Sequence, residues 1–206
     1  MKKNLTVIFA SVWLLTSEAV SDELRNLNVG NEYLLNVTNV LTNNLIKKAH
    51  VLVTEKTLEE IVVRYDDELH VYDNNLRSKK RGNWSYKPFG CDGIGKYLNS
   101  GYTEKYKIIG DWANDKSKGE LVGSCSVRIG DESEFTINGK KIKAIYVENV
   151  ASYTLSLSPK TQRTFVQTGF FSQELGFWVG GEFIEKHDGR LFSHGRFVME
   201  KYSIRR

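Results

Sequence analysis

Two dipeptides do most to limit what this chain can become. Asn138-Gly139 separates residues 134–137 (EFTI) from 141–147 (KIKAIYV), and Asp188-Gly189 separates 182–185 (EFIE) from 190–192 (RLF). A two-residue type I′ turn needs positive φ at both central positions, which Asn or Asp followed by Gly adopts at little cost. Each dipeptide therefore predicts a tight antiparallel hairpin. Residues 158–161 (SPKT) make a looser turn between 153–157 (YTLSL) and 163–166 (RTFV).

The segments between turns alternate. Ile61, Val63 and Tyr65 fall on one side of an extended segment, with Arg64 and Asp66 on the other. Tyr33, Leu35 and Val37 repeat the pattern against Asn36 and Thr38. A period of two places alternate side chains on opposite faces, one for a core and one for water. Residues 195–204 read as a last strand, and a helical turn is expected only around residues 22–26. Consecutive hairpins without intervening helices predict a mainly β fold: a curved antiparallel sheet, sandwich-like or open-barrel-like, in a single domain. Residues 79–118 look least regular, with six glycines and the first cysteine, and long loops in compact domains are commonly functional or poorly ordered.

The N-terminus predicts export. Lys2 and Lys3 precede an apolar run over residues 5–15, and Ala19 and Ser21 follow at cleavage-compatible positions. That order is a secretory signal peptide, expected to occupy residues 1–21, with one β-rich domain over 22–206. The run is shorter than the roughly 20 apolar residues that cross a bilayer, and no second such stretch follows. Removing Lys2, Lys3 and Glu18 leaves 27 basic and 24 acidic residues, a net charge of +3, too mild to imply a strongly acidic partner. The two cysteines, Cys91 and Cys125, read as one disulfide in an oxidising compartment.

Chemistry is harder to find. Residues 90–96 (GCDGIGK) have the spacing of a phosphate-binding loop, but Tyr97 stands where Ser or Thr would bind Mg²⁺, and no helix signal follows. The segment reads better as a glycine-rich turn region pinned by the disulfide. His187 and His194 flank the Asp188-Gly189 turn and with Asp188 offer too few ligands for a metal, since a site needs three or four. No Gly-x-Ser-x-Gly nucleophile motif occurs, and Asp66-Asp67-Glu68 suits a solvated turn. No catalytic residue, metal site or cofactor is expected. The basic run over residues 77–81 (RSKKR) is followed by Trp84 and Tyr86. Cations beside aromatic rings can grip anionic polymers or stack on sugars. Trp84, Tyr86, Trp112 and Trp178 are the candidate ligand-binding residues, weighed against ordinary packing on a sheet.

Two segments resemble the TapB-like family of exported bacterial β proteins. Residues 28–44 (NVGNEYLLNVTNVLTNN) are similar to its opening VGxxYxYxVxDxLTG strand and turn, and residues 171–179 (FSQELGFWV) to its WYxPELGxxVK segment. Residues 133–137 through 144–146 sit where the family has an ExVTVxAGxFxA hairpin. The chain departs from the pattern at Asn138-Gly139 in place of Ala-Gly, at Ser172-Gln173, and at Gly180 in place of a lysine. The resemblance implies an antiparallel sheet curving round a core and a non-enzymatic envelope role, and it carries over no catalytic residues.

The expectation is thus a periplasmic or secreted binding or envelope-assembly accessory protein. Its partner would be a lipid, glycan or peptide ligand or an envelope protein, and not nucleic acid. The rival is an envelope hydrolase acting on glycan or peptide, and a third reading is a structural part whose exposed strand edge pairs with another chain.

Overall fold

The computed structural model describes residues 27–74, 76–87, 89–91, 93–94, 99–113, 118–156 and 160–205. The expected signal peptide, the helical turn near residue 22 and the turn at Ser158-Pro159 lie outside these residues. Twelve strands follow one another: β1 (Glu32–Asn39), β2 (Leu45–Lys56), β3 (Ile61–Tyr65), β4 (Glu68–Tyr72), β5 (Ser78–Arg81), β6 (Trp84–Lys87), β7 (Thr103–Ala113), β8 (Lys118–Ile137), β9 (Lys140–Leu155), β10 (Thr161–Ser172), β11 (Phe177–His187) and β12 (Arg190–Ser203). Each pairs antiparallel with its neighbours in sequence, and β12 pairs with β1 through Glu32↔Ser203 to Asn39↔Gly195. The result is a closed barrel.

The antiparallel hairpin architecture predicted from the turns is present. Its closure goes beyond the expected sandwich or open barrel: among the described residues every strand has a partner on each side, while Ser133–Ile137 of β8 and Lys140–Ala144 of β9 pair only with each other. The region expected to be irregular, residues 79–118, contributes β5, β6 and β7. Their lengths of 4, 4 and 11 residues and their mixed polar faces explain why periodicity hides them. The last strand starts at Arg190 rather than Gly195, because the tight turn lets pairing begin at His187↔Arg190.

The two hairpin dipeptides adopt the conformation that their chemistry favours. Asn138 and Gly139 have φ of 53° and 72°, and Asp188 and Gly189 have 48° and 78°. Directly paired residues share a face, so the rows across the sheet can be followed. Val127, Asn149, Gln167, Phe183 and Gly195 form one inward row. One residue along, Arg128, Glu148, Thr168, Glu182 and Arg196 form an outward row. Arg128 meets Glu148 at 3.2 Å and Arg196 meets Glu182 at 2.6 Å. Other pairs on the outer surface are Lys48–Glu200 at 2.9 Å, Lys143–Glu132 at 3.0 Å and Lys141–Glu134 at 2.8 Å. Two residues along, the outward row of Ser126, Val150, Val166, Ile184 and His194 is apolar at its centre. Among the described residues no helix is long and apolar enough to cross a membrane.

An up-and-down meander gives the barrel two ends. The end holding the N-terminal segment and the β2–β3, β4–β5, β6–β7, β8–β9 and β10–β11 connections is shut by apolar side chains. Leu27, Ile94 and Leu175 are each 1% exposed and join Tyr33, Phe171 and Phe177 in the core. Tyr33 stacks on Phe177 at 4.3 Å, and its hydroxyl donates to the Leu175 carbonyl at 2.7 Å. Burial raises the Tyr33 phenol above its usual range, so it stays a neutral donor.

Candidate functional site

Two features of the lumen bear on function: what fills it, and what lines its second end. The filling comes from the β6–β7 connection. Gly90, Cys91, Gly93 and Ile94 are all buried. Cys91 is bonded to Cys125, whose Cα lies 5.5 Å away on the inward face of β8. The Tyr106 hydroxyl donates to the Gly90 carbonyl at 2.9 Å, and the Asn149 amide donates to the Gly93 carbonyl at 2.8 Å. Tyr106 and Asn149 lie on the inward faces of β7 and β9, so the connection folds into the barrel and is held there on three strands. Glycine is required at 93: a Cβ would stand 2.8 Å from the Arg77 Cα and the Leu76 carbonyl oxygen. The glycine-rich motif is thus a plug tethered by the disulfide, as far as its described residues reach; residues 92 and 95–98 lie outside them. A cavity of about 20 Å³ lies among Val63, Tyr65, Tyr72, Leu76, Phe171 and Phe177, enough for about one water molecule.

The second end, where the β1–β2, β3–β4, β5–β6 and β11–β12 turns gather, is lined by charge. Arg163 pairs with Tyr153 on β9 and with His187 on β11. This row lies two residues from inward-facing Cys125 and Ala151 and so faces the lumen. Glu185, two residues before His187, shares that face. Its Oε1 accepts from Arg163 Nη1 at 3.1 Å and meets His187 Nε2 at 2.6 Å. Phe192 stacks on the His187 ring with centroids 4.0 Å apart. Burial pushes the Tyr153 phenol up, and Glu185 nearby adds to the effect.

From the facing strands His70 and Arg81 share a row with Val63. His70 is 4% exposed, stacks on Tyr65 at 4.4 Å and has its Nδ1 3.2 Å from the Tyr72 hydroxyl. Its Nε2 lies 3.6 Å from Glu68, longer than a hydrogen bond. Desolvation, reinforced by Arg81, lowers its pKa to about 4, so the ring is neutral at ordinary pH.

The mouth can recognise charge, and its ionic groups are committed to one another. Glu185 is held between Arg163 and His187. His187 and His194 fall on opposite faces: His194 lies outside, 3.3 Å from Glu182. They do not share a metal. Among the described residues no group of three or more His, Cys, Asp and Glu gathers to hold an ion.

The four candidate aromatics are half-buried, and Trp84, Tyr86 and Trp178 pack against the core. Trp84 and Trp112 pair across β6 and β7 with centroids 5.9 Å apart. The Tyr86 ring lies against Gly90 and Gly110. Trp178 stands apart from them, edge-on to Phe171 and Phe197. Sequence reasoning missed the Arg163–Glu185–His187 group. The i, i+2 spacing of Glu185 and His187 was a visible sign of a shared face, but Arg163 joins them only through the β10–β11 register.

Comparison with known proteins bears on the fold. No protein-family model matches the chain. No curated protein matches its sequence. Its structure is similar to the hypothetical lipoprotein YmcC from Escherichia coli K12, at 12% identity and a TM-score of 0.52, over 84% of this chain and 87% of that one. It is also similar to a protein described as a lipoprotein from Parabacteroides distasonis, at 11% identity and a TM-score of 0.50, over 85% of this chain and 96% of that one.

Proposed function

We propose that this is an exported, non-enzymatic accessory protein of the bacterial envelope. It meets its partner through the mouth and rim of the barrel and does not carry a ligand inside. The observation behind this choice is the disulfide-tethered plug, beside which the described residues line a cavity of about 20 Å³, far smaller than a ligand pocket. Export is supported by the signal-peptide pattern of residues 1–21 and by the disulfide, a bond that persists in oxidising compartments. The two solved structures named above are described as lipoproteins, and the resemblance of residues 28–44 and 171–179 to the TapB-like family points the same way. Trp84, Tyr86 and Trp112, near the mouth, remain the aromatics best placed to meet a partner.

The test is expression of the full chain followed by fractionation and native mass spectrometry. The expected product is a processed chain outside the cytosol, with no co-purified small molecule and a mass that rises by two protons on reduction. Unprocessed chain left in the cytosol would overturn the export reading. A stoichiometric bound lipid would overturn the filled-lumen reading.

A further inference from the structure

Exposed apolar side chains gather on one part of the rim. Leu41 is 70% exposed, Leu45 53%, Ile46 56%, Leu191 47% and Phe192 65%. They belong to two adjacent turns. Val40 N donates to the His194 carbonyl at 3.1 Å, which fixes the β1–β2 turn beside the start of β12, three residues from Leu191. Single exposed leucines need no explanation, but five large apolar side chains on neighbouring tips do. Phe192 stacks on the His187 ring and is still largely exposed.

The charge of the β11–β12 tip is basic, while the β3–β4 turn beyond the β1–β2 tip carries Asp66 and Asp67. Lys186 and Arg190 flank the β11–β12 turn, and Lys47 and Lys48 follow Ile46; all four are exposed. Within the β11–β12 turn the acid is Asp188, whose Oδ1 accepts from the Gln162 backbone at 2.9 Å. Lys47 and Lys48 reach Asp66 and Glu200 at 3.0 and 2.9 Å, with more than half of each lysine side chain still exposed. An excess of like charge opposes a second copy docking tip to tip. It favours a surface that is negative and accepts apolar side chains just beneath it. An anionic bilayer has both properties.

We infer that the β1–β2 and β11–β12 turns form a membrane-surface docking tip, with Leu41, Leu191 and Phe192 entering the headgroup region of an anionic bilayer while Lys186 and Arg190 meet its phosphates. The tip rests on the envelope reading for the presence of such a bilayer. It lies at the opposite end of the barrel from Leu27, where the described chain begins.

The test is co-sedimentation of the processed protein with vesicles of phosphatidylethanolamine and phosphatidylglycerol, against vesicles of phosphatidylcholine alone. Binding to the anionic vesicles is expected, with a fall as salt is raised to roughly 0.5 M, where screening is nearly complete. The triple variant L41S/L191S/F192S should lose about ten-fold or more of that binding. The variant K186E/R190E should lose the preference for anionic lipid. Both should keep the parent's unfolding midpoint, since the positions are exposed. No sedimentation, or undiminished binding by the triple variant, would overturn the tip. So would a parent dimer that the triple variant converts to monomer, because the patch would then belong to a second copy. Cell fractionation stands apart: cytosolic chain that still binds anionic vesicles would sink the export reading and leave the tip standing.

Discussion

At one end of the barrel Leu27, Ile94, Leu175 and Phe177 shut the lumen with apolar side chains; at the other Arg163, Glu185 and His187 hold it with charge. Both ends are made of hairpin turns on the same sheet, so the backbone does not explain the difference. The sealed end gains its stability from water-free contact, roughly in proportion to the apolar area removed from solvent. The charged mouth gains little, because half-buried ion pairs offset much of their attraction by desolvation. What the mouth and rim retain in return is chemistry that a partner can meet. The sealed end should therefore carry the stability and the mouth the recognition.

That contrast can be broken by substitution. Phe171→Ala, at a fully buried site, should cost about 3–5 kcal/mol in denaturant unfolding; a cost below about 1 kcal/mol would mean that the sealed end is not the stabilising one. Next comes the plug. Replacing Cys91 and Cys125 by serine frees a 34-residue span and should lower stability by about 3–4 kcal/mol on the loop-entropy estimate. Unchanged stability in the double variant would show that the plug is held by packing alone.

A smaller effect is expected from His70, which lies between the two regimes. Unfolded histidine protonates near pH 6.5, whereas His70 in the fold does so near 4, because burial disfavours its charged form. The unfolded chain thus binds the extra proton between these values. The His70 contribution is complete above about pH 6.5 and is lost as pH falls toward 4, by roughly 2–3 kcal/mol. His70→Phe should flatten unfolding midpoints across that window, and an unaltered pH profile would show that His70 does not report the interior. Least of all, Glu185→Gln at the mouth should cost about 1 kcal/mol, read by thermal melts at low and high salt. A loss as large as that of Phe171→Ala would erase the distinction between the ends.

Particular residues show how far the chain could be read before it was folded. Asn138-Gly139 and Asp188-Gly189 were legible because a type I′ turn leaves few other sequences able to make it, and both turned out with positive φ at both positions. Ile61 and Val63 were legible as core because alternation encodes a face, and both are 1% exposed. β5 and β6 were not: four residues each, with exposed lysine and arginine among them, carry too little periodicity to separate from loop. The plug read as a long glycine-rich loop because glycine marks close approach without saying to what. The apolar rim escaped notice for a related reason, since Leu41 and Phe192 look in sequence like any core residue.

Local chemistry alone determined the hairpins, the inward and outward faces of the stronger strands and the pairing of the two cysteines. These depend on φ preferences, a two-residue period and the cysteine count, all carried by a few neighbouring residues or by their number. Only the tertiary structure decided that β1 would close on β12, that residues 90–94 would turn into the lumen, and that Arg163 would meet Glu185 and His187. Those outcomes depend on register accumulated over twelve strands, and each strand's contribution is set by partners that are distant in the chain.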